Sequence, residues 1–554
     1  MAQIDVLIGD FDAMQQKYWR AWRQAQEASA DLLVLPELAT TGYPPRDLLL
    51  SAPFVAQSLR LLDTMAEWTA QGPAILLGAA LPNPGFGQDL FNAGVLLQGG
   101  RRAGEAHKTL LPVYDVFDEA RYFEPASHRA PIAFGRERLG VTICEDLWVD
   151  AVPTLYAKAR YEVDPCAELA RAGASLFVNL SASPFAIGKA EIRRALVTET
   201  ARRHGTWMVY LNQVGAHDDL LFDGHSLVVD PRGRVVRRLA RFAEDFAVVE
   251  VCTDSPLETQ PPSAPAETAR LDSAKETQEV YDALVLGIRG YVHKTGFRAA
   301  VVGLSGGIDS AVVAALACAA LGPENVHGYA LPTRYSSHHA LEDAKLLASN
   351  LGMPLEVLPV EGPFCAVLEQ LEPTFGNLPP DLAEENIQAR LRGVALMAIA
   401  NKFGRLLLST SNKSEAAVGY STLYGDMCGA LAPIGDVTKG RVYALAHHIN
   451  AGRERIPARS ITKAPSAELR PNQTDQDTLP PYDEVDAVVE AFVERGSPVG
   501  HIVAETGIPT ERVEAIVRMI RLSEYKRRQA PPILRITHKA FGPGRRMPLA
   551  ARGQ

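Results

Sequence analysis

The sequence predicts an α/β protein of two domains, the second of them a doubly wound parallel sheet. Three observations predict it. Short apolar runs alternate with amphipathic stretches along nearly the whole chain, as strands and helices do in layered α/β folds. Residues 253–272 break that alternation with Pro256, Pro261, Pro262 and Pro265 among serines and threonines, which reads as a linker. After it, Ala299–Leu304 reads as a buried strand, a small polar loop follows, and Ala311–Leu316 reads as a helix. The boundaries expected are a domain over 1–252, a linker over 253–275, and a second domain over 276–554 that ends in a helical tail. A chain of 554 residues is long enough for two or three such units.

In the first half, strands are expected at 32–35, 74–78, 93–97, 140–143, 175–180 and 206–211. Residues 225–229 and 235–236 flank Asp230-Pro231-Arg232-Gly233, a hairpin turn. Three polar groups stand at the ends of apolar segments: Glu37, Lys108 and Cys144. Each has an ordinary explanation as a loop carboxylate, a surface lysine or a small core residue. Together they supply what acyl transfer needs. A thiolate attacks an amide carbon, a carboxylate moves the proton, and an ammonium stabilises the oxyanion. A Cys–His dyad is the rival arrangement, with His128 or His204 as the histidine.

These residues lie in stretches that resemble a known superfamily. Pro36-Glu37-Leu38 with Thr41-Gly42-Tyr43-Pro44-Pro45 resembles the glutamic acid motif of nitrilases. Lys108-Thr109-Leu110-Leu111-Pro112, running on through Val116-Phe117-Asp118-Glu119 and Arg121-Tyr122-Phe123, resembles the lysine motif. Ile143-Cys144-Glu145-Asp146-Leu147-Trp148 resembles the cysteine motif. The resemblance implies an α-β-β-α sandwich with a Glu37–Lys108–Cys144 triad. The run from Ser181 to Lys189 is similar to the glutaminase domain of glutamine-dependent NAD synthetases, which implies that Tyr114, Ser183 and Lys189 hold glutamine. Against that family the first strand, at Ala2-Gln3, looks clipped.

In the second half, residues 276–292 read as a helix leading into the strand before Ser305-Gly306-Gly307-Ile308-Asp309-Ser310. A loop of this kind aims backbone N–H groups and a helix N-terminus at one spot, which suits a phosphate chain. Asp309 would repel phosphates unless it holds a Mg²⁺ they share. No Gly-Lys-Ser/Thr follows, so this is not a Walker A loop. Strands at 325–331, 355–360 and 405–410 alternate with helices near 338–350 and 386–402. Thr333–Ser336 and Ser409–Glu415 then fall at the same carboxyl edge as the loop, where ligands of such sheets collect.

The hexapeptide resembles the pyrophosphate loop of ATP pyrophosphatases. Ser411-Asn412-Lys413-Ser414-Glu415, Gly419–Asp426, Glu384–Arg390 and Glu524–Gln529 resemble segments of NAD synthetases. The likeness implies ATP on Gly303, Leu304, Ser305, Gly306, Gly307, Ile308, Asp309, Ser310 and Thr410. It implies deamido-NAD on Asn386, Glu415 and Lys526, and Mg²⁺ on Asp309 and Glu415. The reaction implied is amidation of deamido-NAD to NAD, with ATP split to AMP and pyrophosphate through an adenylate. Ammonia would come from glutamine through an internal passage. The family also implies a homo-oligomer, a dimer or larger and up to an octamer, in which Lys526 reaches a neighbouring subunit.

Composition narrows the partners to small molecules. A net charge of −9 argues against general nucleic-acid binding. The longest Ala/Val-rich run, near 311–321, is too short to span a bilayer. The cysteines form no Cys-x-x-Cys pair, and Met1–Asp5 has no signal-peptide character, so a reducing, cytoplasmic setting is expected. Residues 499–518 read as helix, turn, helix; an αα-hairpin fits an acidic chain better than a DNA reader. The basic run Lys526-Arg527-Arg528 suits the phosphates of a dinucleotide better than an open helix face. GMP synthetases share the phosphate loop but pair it with a Cys–His–Glu glutaminase. Asparagine synthetases need an N-terminal cysteine, and Met1-Ala2 stands there instead. A nucleotide sensor fused to a dead amidase finds no support, because every triad and loop position is filled.

Overall fold

Successive residues of a strand point to opposite faces, and the buried residues of the first half sort accordingly. In the computed structural model, which describes residues 1–149, 161–253 and 273–550, four strands form one sheet. Their order is β2 (Leu32–Val34), β3 (Ala74–Pro82), β4 (Leu90–Gln98), β5 (Arg101–His107). Six strands form another: β13 (Val235–Arg238), β12 (Leu227–Val229), β9 (Trp207–Asn212), β8 (Leu176–Ser181), β7 (Glu137–Ile143), β6 (Ile132–Phe134). Leu33, Ile75, Leu77, Val95 and Leu97 pack with Met14, Tyr18, Leu61, Leu62 and Met65 of helices α1 (Phe11–Glu27) and α2 (Ala52–Trp68). Their neighbours Val34, Leu76 and Leu96 face inward and meet Val141, Val178, Leu180 and Val209. Beyond these, Phe177, Met208 and Tyr210 meet Cys166, Leu169, Ile192 and Val197 of α3 (Pro165–Arg171) and α4 (Lys189–His204). This is the expected α-β-β-α sandwich. Each buried aliphatic side chain contributes about 1.5–3 kcal/mol. A one-residue slip of any strand would turn its set into the wrong layer.

Smaller pairings complete this unit. β1 (Ala2–Gln3) is two residues long and pairs antiparallel with β14 (Asp245–Phe246). β10 (Val214–His217) pairs with β11 (Leu220–Asp223). The Asp230–Gly233 turn joins β12 to β13 as an antiparallel hairpin. Strands β7, β8 and β9 run parallel, with Ile143 opposite Leu180 and Ser181 opposite Asn212. Their carboxyl ends therefore release Cys144, Ala182 and Gln213 at one edge.

The chain divides into two compact units, Met1–His217 with Leu221–Leu271 and Asp218–Leu220 with Asp272–Gln554. Most of the expected linker, 254–272, lies outside the described residues. Helix α5 spans Ser273–Lys294 and so begins three residues before the expected Glu276. In the second unit β17 (Leu355–Val357), β16 (Val326–Ala330), β15 (Ala300–Gly303) and β18 (Leu406–Leu408) lie side by side in that order, all parallel. Val301, Tyr329 and Leu407 pack under Leu396, Ile399 and Ala400 of α9 (Leu382–Phe403). The alternate residues Ala300 and Val302 face the other side, where α6 (Ile308–Leu321) packs across β15 and β16. Helices on both faces make the sheet doubly wound, as expected. The crossovers run through α7 (His338–Leu351) and α8 (Glu361–Phe375).

A second apolar cluster gathers α10 (Lys413–Val418), α13 (Tyr482–Val489), α14 (Val499–Thr506) and α15 (Thr510–Leu522). Ile502, Val513, Ile516, Val517 and Ile520 are buried in it. The helix–turn–helix of 499–518 thus spends its apolar face inside its own unit, as an αα-hairpin. Helices α11 (Lys439–Ile449), α12 (Ala458–Thr462) and α16 (Glu524–Arg527) complete the unit. Among the described residues no helix is long and apolar enough to cross a membrane.

Candidate active sites

In the first unit the site is assembled where strands end. Glu37 follows β2, and Gly78 of β3 lies directly behind it. A Cβ on Gly78 would come within 2.2 Å of Leu38 N and 2.5 Å of Glu37 Cα, so only glycine lets the two segments meet. Lys108 follows β5, and Cys144 follows β7 at φ 41°, in the left-handed region that L-residues avoid. Asp146 compensates for that turn: its carboxylate accepts from the N–H of Ile143 and Leu110, each at 2.9 Å, and of Thr109 at 3.0 Å. It thereby ties the lysine segment to the cysteine segment. Burial pushes its carboxyl up to about 6, against those three donors.

Lys108 Nζ lies 2.8 Å from Glu37 Oε1 and 2.9 and 2.7 Å from the two oxygens of Glu119, with both lysine and Glu37 fully buried. Tyr43 also donates to Glu119, at 2.9 Å. Burial opposes the lysine's charge, but Glu119 and Glu37 outweigh it and hold the ammonium well above the usual lysine range. Burial raises Glu119 to about 7, against Lys108 and with Glu37. Cys144 is buried as well. Burial, and then the negative charge of Glu37, push its thiol far up, with Lys108 pulling the other way. The resting sulfur is therefore a thiol that needs a base beside it, and the charges that act most on it belong to Glu37 and Lys108, not to a histidine. His204 sits at the end of α4 beside Phe177.

Removing the ammonium should be severe. Lys108→Met leaves Glu37 and Glu119 buried beside each other without a counter-charge, at a cost of about 3–5 kcal/mol. It also removes the cation expected to steady the oxyanion, worth roughly 10²–10³ in rate. We expect amide hydrolysis by the first unit to fall by that factor or more and that unit to melt earlier by differential scanning calorimetry.

Around this centre stand the residues expected to hold glutamine. Tyr114 OH donates to both oxygens of Glu145 at 3.0 Å, and Tyr161 OH donates to the same carboxylate at 2.9 Å. Burial raises Glu145, against these hydroxyls. Lys189 opens α4 and places its ammonium 5.5 Å from the Trp148 ring. Ser183 is buried, and its N–H donates to Asn212 Oδ1 at 2.8 Å. Glu145 and Lys189 thus offer charges of opposite sign near the nucleophile, a match for an amino acid zwitterion.

The second unit gathers its polar groups at the carboxyl edge of the parallel sheet. A cavity of about 260 Å³ is lined by Gly303, Leu304 and Ser305 after β15, Pro332 after β16, and Ser409 and Thr410 after β18. The glycine-rich loop is braced by its own hydroxyls: Ser305 Oγ accepts from Gly307 N at 3.2 Å, and Ser310 Oγ donates to Gly307 O at 3.1 Å. Gly306 has φ 75°, and a Cβ there would lie 2.4 Å from Ala340 O. Ser460 of α12 donates to Gly306 O at 3.1 Å. Ile308 opens α6, so the helix N-terminus stands at the end of the loop, while the N–H groups of Ser305 and Gly307 donate to the loop's own hydroxyls.

Asp309 and Glu415 share one neighbour. Lys439 Nζ lies 2.6 Å from Asp309 Oδ2 and 3.3 Å from Glu415 Oε1. Burial disfavours the ammonium, but Asp309 and Glu415 more than offset it. Glu415 is pushed up by burial, against Lys439 and with Asp309. Two carboxylates facing one point are the oxygen donors a hard divalent cation takes, and here the Lys439 ammonium stands at that point. Asn412 sets the pair: its Oδ1 accepts from Glu415 N at 2.9 Å as a helix cap, and its Nδ2 donates to Asp309 Oδ1 at 2.9 Å. Asn386, on α9, accepts from Thr422 Oγ1 at 2.6 Å, and Lys526 donates to Gly419 O and Ser421 O at 2.7 and 2.6 Å. Both therefore adjoin the loop that follows Glu415. The rest of the basic run differs from expectation. Arg527 is held by the carbonyls of Ala416 and Ala417 and by Glu524, and Arg528 by Met547 O, because these main-chain acceptors at element ends need donors.

Several site residues escape a reading of the sequence. Glu119 is buried against Lys108 although it stands in a polar stretch that reads as a loop. Lys439 opens α11 behind the N-cap Thr438, after the turn at Asp436, and nothing in that short segment marks it out. Arg392 lines the cavity from α9, donating to Leu331 O at 3.0 Å, and on a helix nothing marks it out.

Residues 1–255 match the carbon-nitrogen hydrolase family and residues 280–530 the NAD synthase family. The glutamine-dependent NAD(+) synthetase of Synechocystis sp. is 46% identical over 555 residues, covering 99% of this chain and 98% of the relative. That of Thermotoga maritima is 39% identical over 581 residues, covering 100% and 98%. The solved structure of the Acinetobacter baumannii enzyme in complex with adenosine diphosphate aligns with a TM-score of 0.74 at 34% identity, over 99% of this chain and 97% of that one. With identity of this level running the length of both chains, and a glutaminase and an NAD synthase domain each in place, the protein belongs to the glutamine-dependent NAD(+) synthetases, enzymes that make NAD with glutamine as nitrogen donor.

Proposed function

We propose that nitrogen is freed from glutamine at Cys144 and captured in the second unit by an AMP-activated nicotinate carboxylate. The observation that carries the first half is the buried Lys108 bridging Glu37 and Glu119 within the field of Cys144. Glutamine's ammonium is taken by Glu145, and its carboxylate by Lys189 with Tyr114 and Ser183 close by. Glu37 takes the thiol proton as sulfur attacks the side-chain amide. Lys108 steadies the tetrahedral oxyanion. Glu37 then returns the proton to the departing nitrogen, ammonia leaves, and water clears the thioester to glutamate.

In the second unit the loop Ser305–Ser310, the start of α6 and Thr410 hold the ATP phosphates, and Asn386, Glu415 and Lys526 hold deamido-NAD. Asp309 and Glu415 would hold Mg²⁺, which neutralises charge building on the pyrophosphate. The nicotinate carboxylate attacks the α-phosphorus, pyrophosphate leaves, and ammonia displaces AMP to give the amide. Water would convert free ammonia to ammonium, which is no nucleophile, so the passage between the sites is closed to solvent. The enzyme acts as a homo-oligomer in the cytoplasm.

Isotope competition tests this. Amide-¹⁵N glutamine is supplied with a tenfold excess of unlabelled ammonium chloride, and NAD and AMP are followed by mass spectrometry. We expect AMP and NAD in equal amounts, with most of the new amide nitrogen ¹⁵N. Label diluted to the bulk ratio would reject the closed passage, and ADP in place of AMP would reject the adenylate.

A further inference from the structure

Asn92 lies inside β4 in an otherwise apolar stretch and is fully buried. Its Oδ1 has no hydrogen-bond partner among the described residues, a penalty that leucine, of similar size, would not carry. The amide does make one side-chain bond, from Nδ2 to Glu37 Oε1 at 2.8 Å. Its main-chain carbonyl accepts from Lys108 N at 2.8 Å. One residue thus anchors the carboxylate and the backbone of the ammonium together.

We propose that Asn92 is a positioning residue that assigns proton transfer to one oxygen of Glu37; this rests on Glu37 being the base for Cys144. Each oxygen of an ionised carboxylate accepts about two hydrogen bonds. Oε1 takes two, from Lys108 Nζ and Asn92 Nδ2, each at 2.8 Å. Oε2 takes one, from Ala182 N at 2.9 Å. Among the described residues a single acceptor position is left, and it is on Oε2. The S–H bond of Cys144 breaks toward that position as the S–C bond forms. The O–H so made gives its proton to the nitrogen as the C–N bond breaks and ammonia leaves. Without Asn92, Oε1 gains an open position, the carboxylate can turn about its last torsion, and the base loses its single direction.

The test uses the full-length enzyme and three variants. Glutaminase kcat and KM are measured with the pH dependence of Cys144 alkylation by iodoacetamide. For Asn92→Leu we expect kcat to fall roughly 10²-fold with KM for glutamine within about threefold, and the alkylation profile to move by at least about half a pH unit. A residue that only fills space predicts wild-type kcat and an unmoved profile, and that result overturns the proposal. Should Asn92→Leu not fold, Asn92→Asp decides: it keeps the shape but replaces the donor with a carboxylate that repels Glu37, and wild-type kcat there overturns it equally. Glu37→Gln separates the premise. Glutaminase activity surviving in that variant removes Glu37 as the base, and the proposal falls with it whatever Asn92 does.

Discussion

Cys144→Ala is expected to lower glutamine-driven NAD formation by a factor on the order of 10⁴ or more while formation from ammonium salts continues. The size follows from the chemistry. An alanine cannot form the thioester. The selectivity follows from the division of labour, since the described lining of the cavity at the ends of β15, β16 and β18 comes from the second unit. Stability should change little, because the substitution removes one sulfur and relieves the burial penalty on a polar atom. NAD is measured with glutamine and, separately, with saturating ammonium chloride. Equal loss with both nitrogen sources would show that Cys144 serves the whole enzyme and not one of its two chemistries.

Asp309→Ala should do the reverse. It removes a carboxylate that Lys439 approaches at 2.6 Å and leaves Asn412 Nδ2 without its acceptor. The ammonium then keeps Glu415 and the more distant Asp475, and a divalent cation loses one of its two expected anchors. We expect pyrophosphate release with deamido-NAD and ammonium to fall roughly 10²–10⁴-fold, as for loss of one preorganised charge contact in phosphoryl chemistry. Glutamate release is retained apart from any coupling between the sites. Added Mg²⁺ should not restore the rate. Synthesis within about fivefold of wild type would remove Asp309 from the phosphate site.

How much of this could be read from the residues depends on distance along the chain. The sandwich and the parallel sheet were legible because alternation is local: Leu76 and Leu77 face different layers and both are apolar. Glu37, Cys144 and the glycine loop were legible because each sits where a strand stops, in a short polar segment. Asn92 was not. It interrupts an apolar run by a single residue, and its partner Glu37 lies 55 residues earlier. Lys439 meets Asp309 from 130 residues away, a pairing that only the packing of α11 against α6 creates. Helix ends were misjudged where capping decides them, as at α9, which begins at Leu382 because Asp381 and Glu384 form a capping box.

The protonated, enclosed state of Cys144 has a consequence for survival under oxidative stress. Peroxide attacks thiolates and needs access, and burial, which raises the Cys144 thiol, limits both at rest. Cys252 and Cys365, which face solvent, would be converted to sulfenic acid first. With Glu37 as its proposed base, the sulfur gains reactivity when an amide stands beside it, and between turnovers it is the cysteine least open to oxidants of the three.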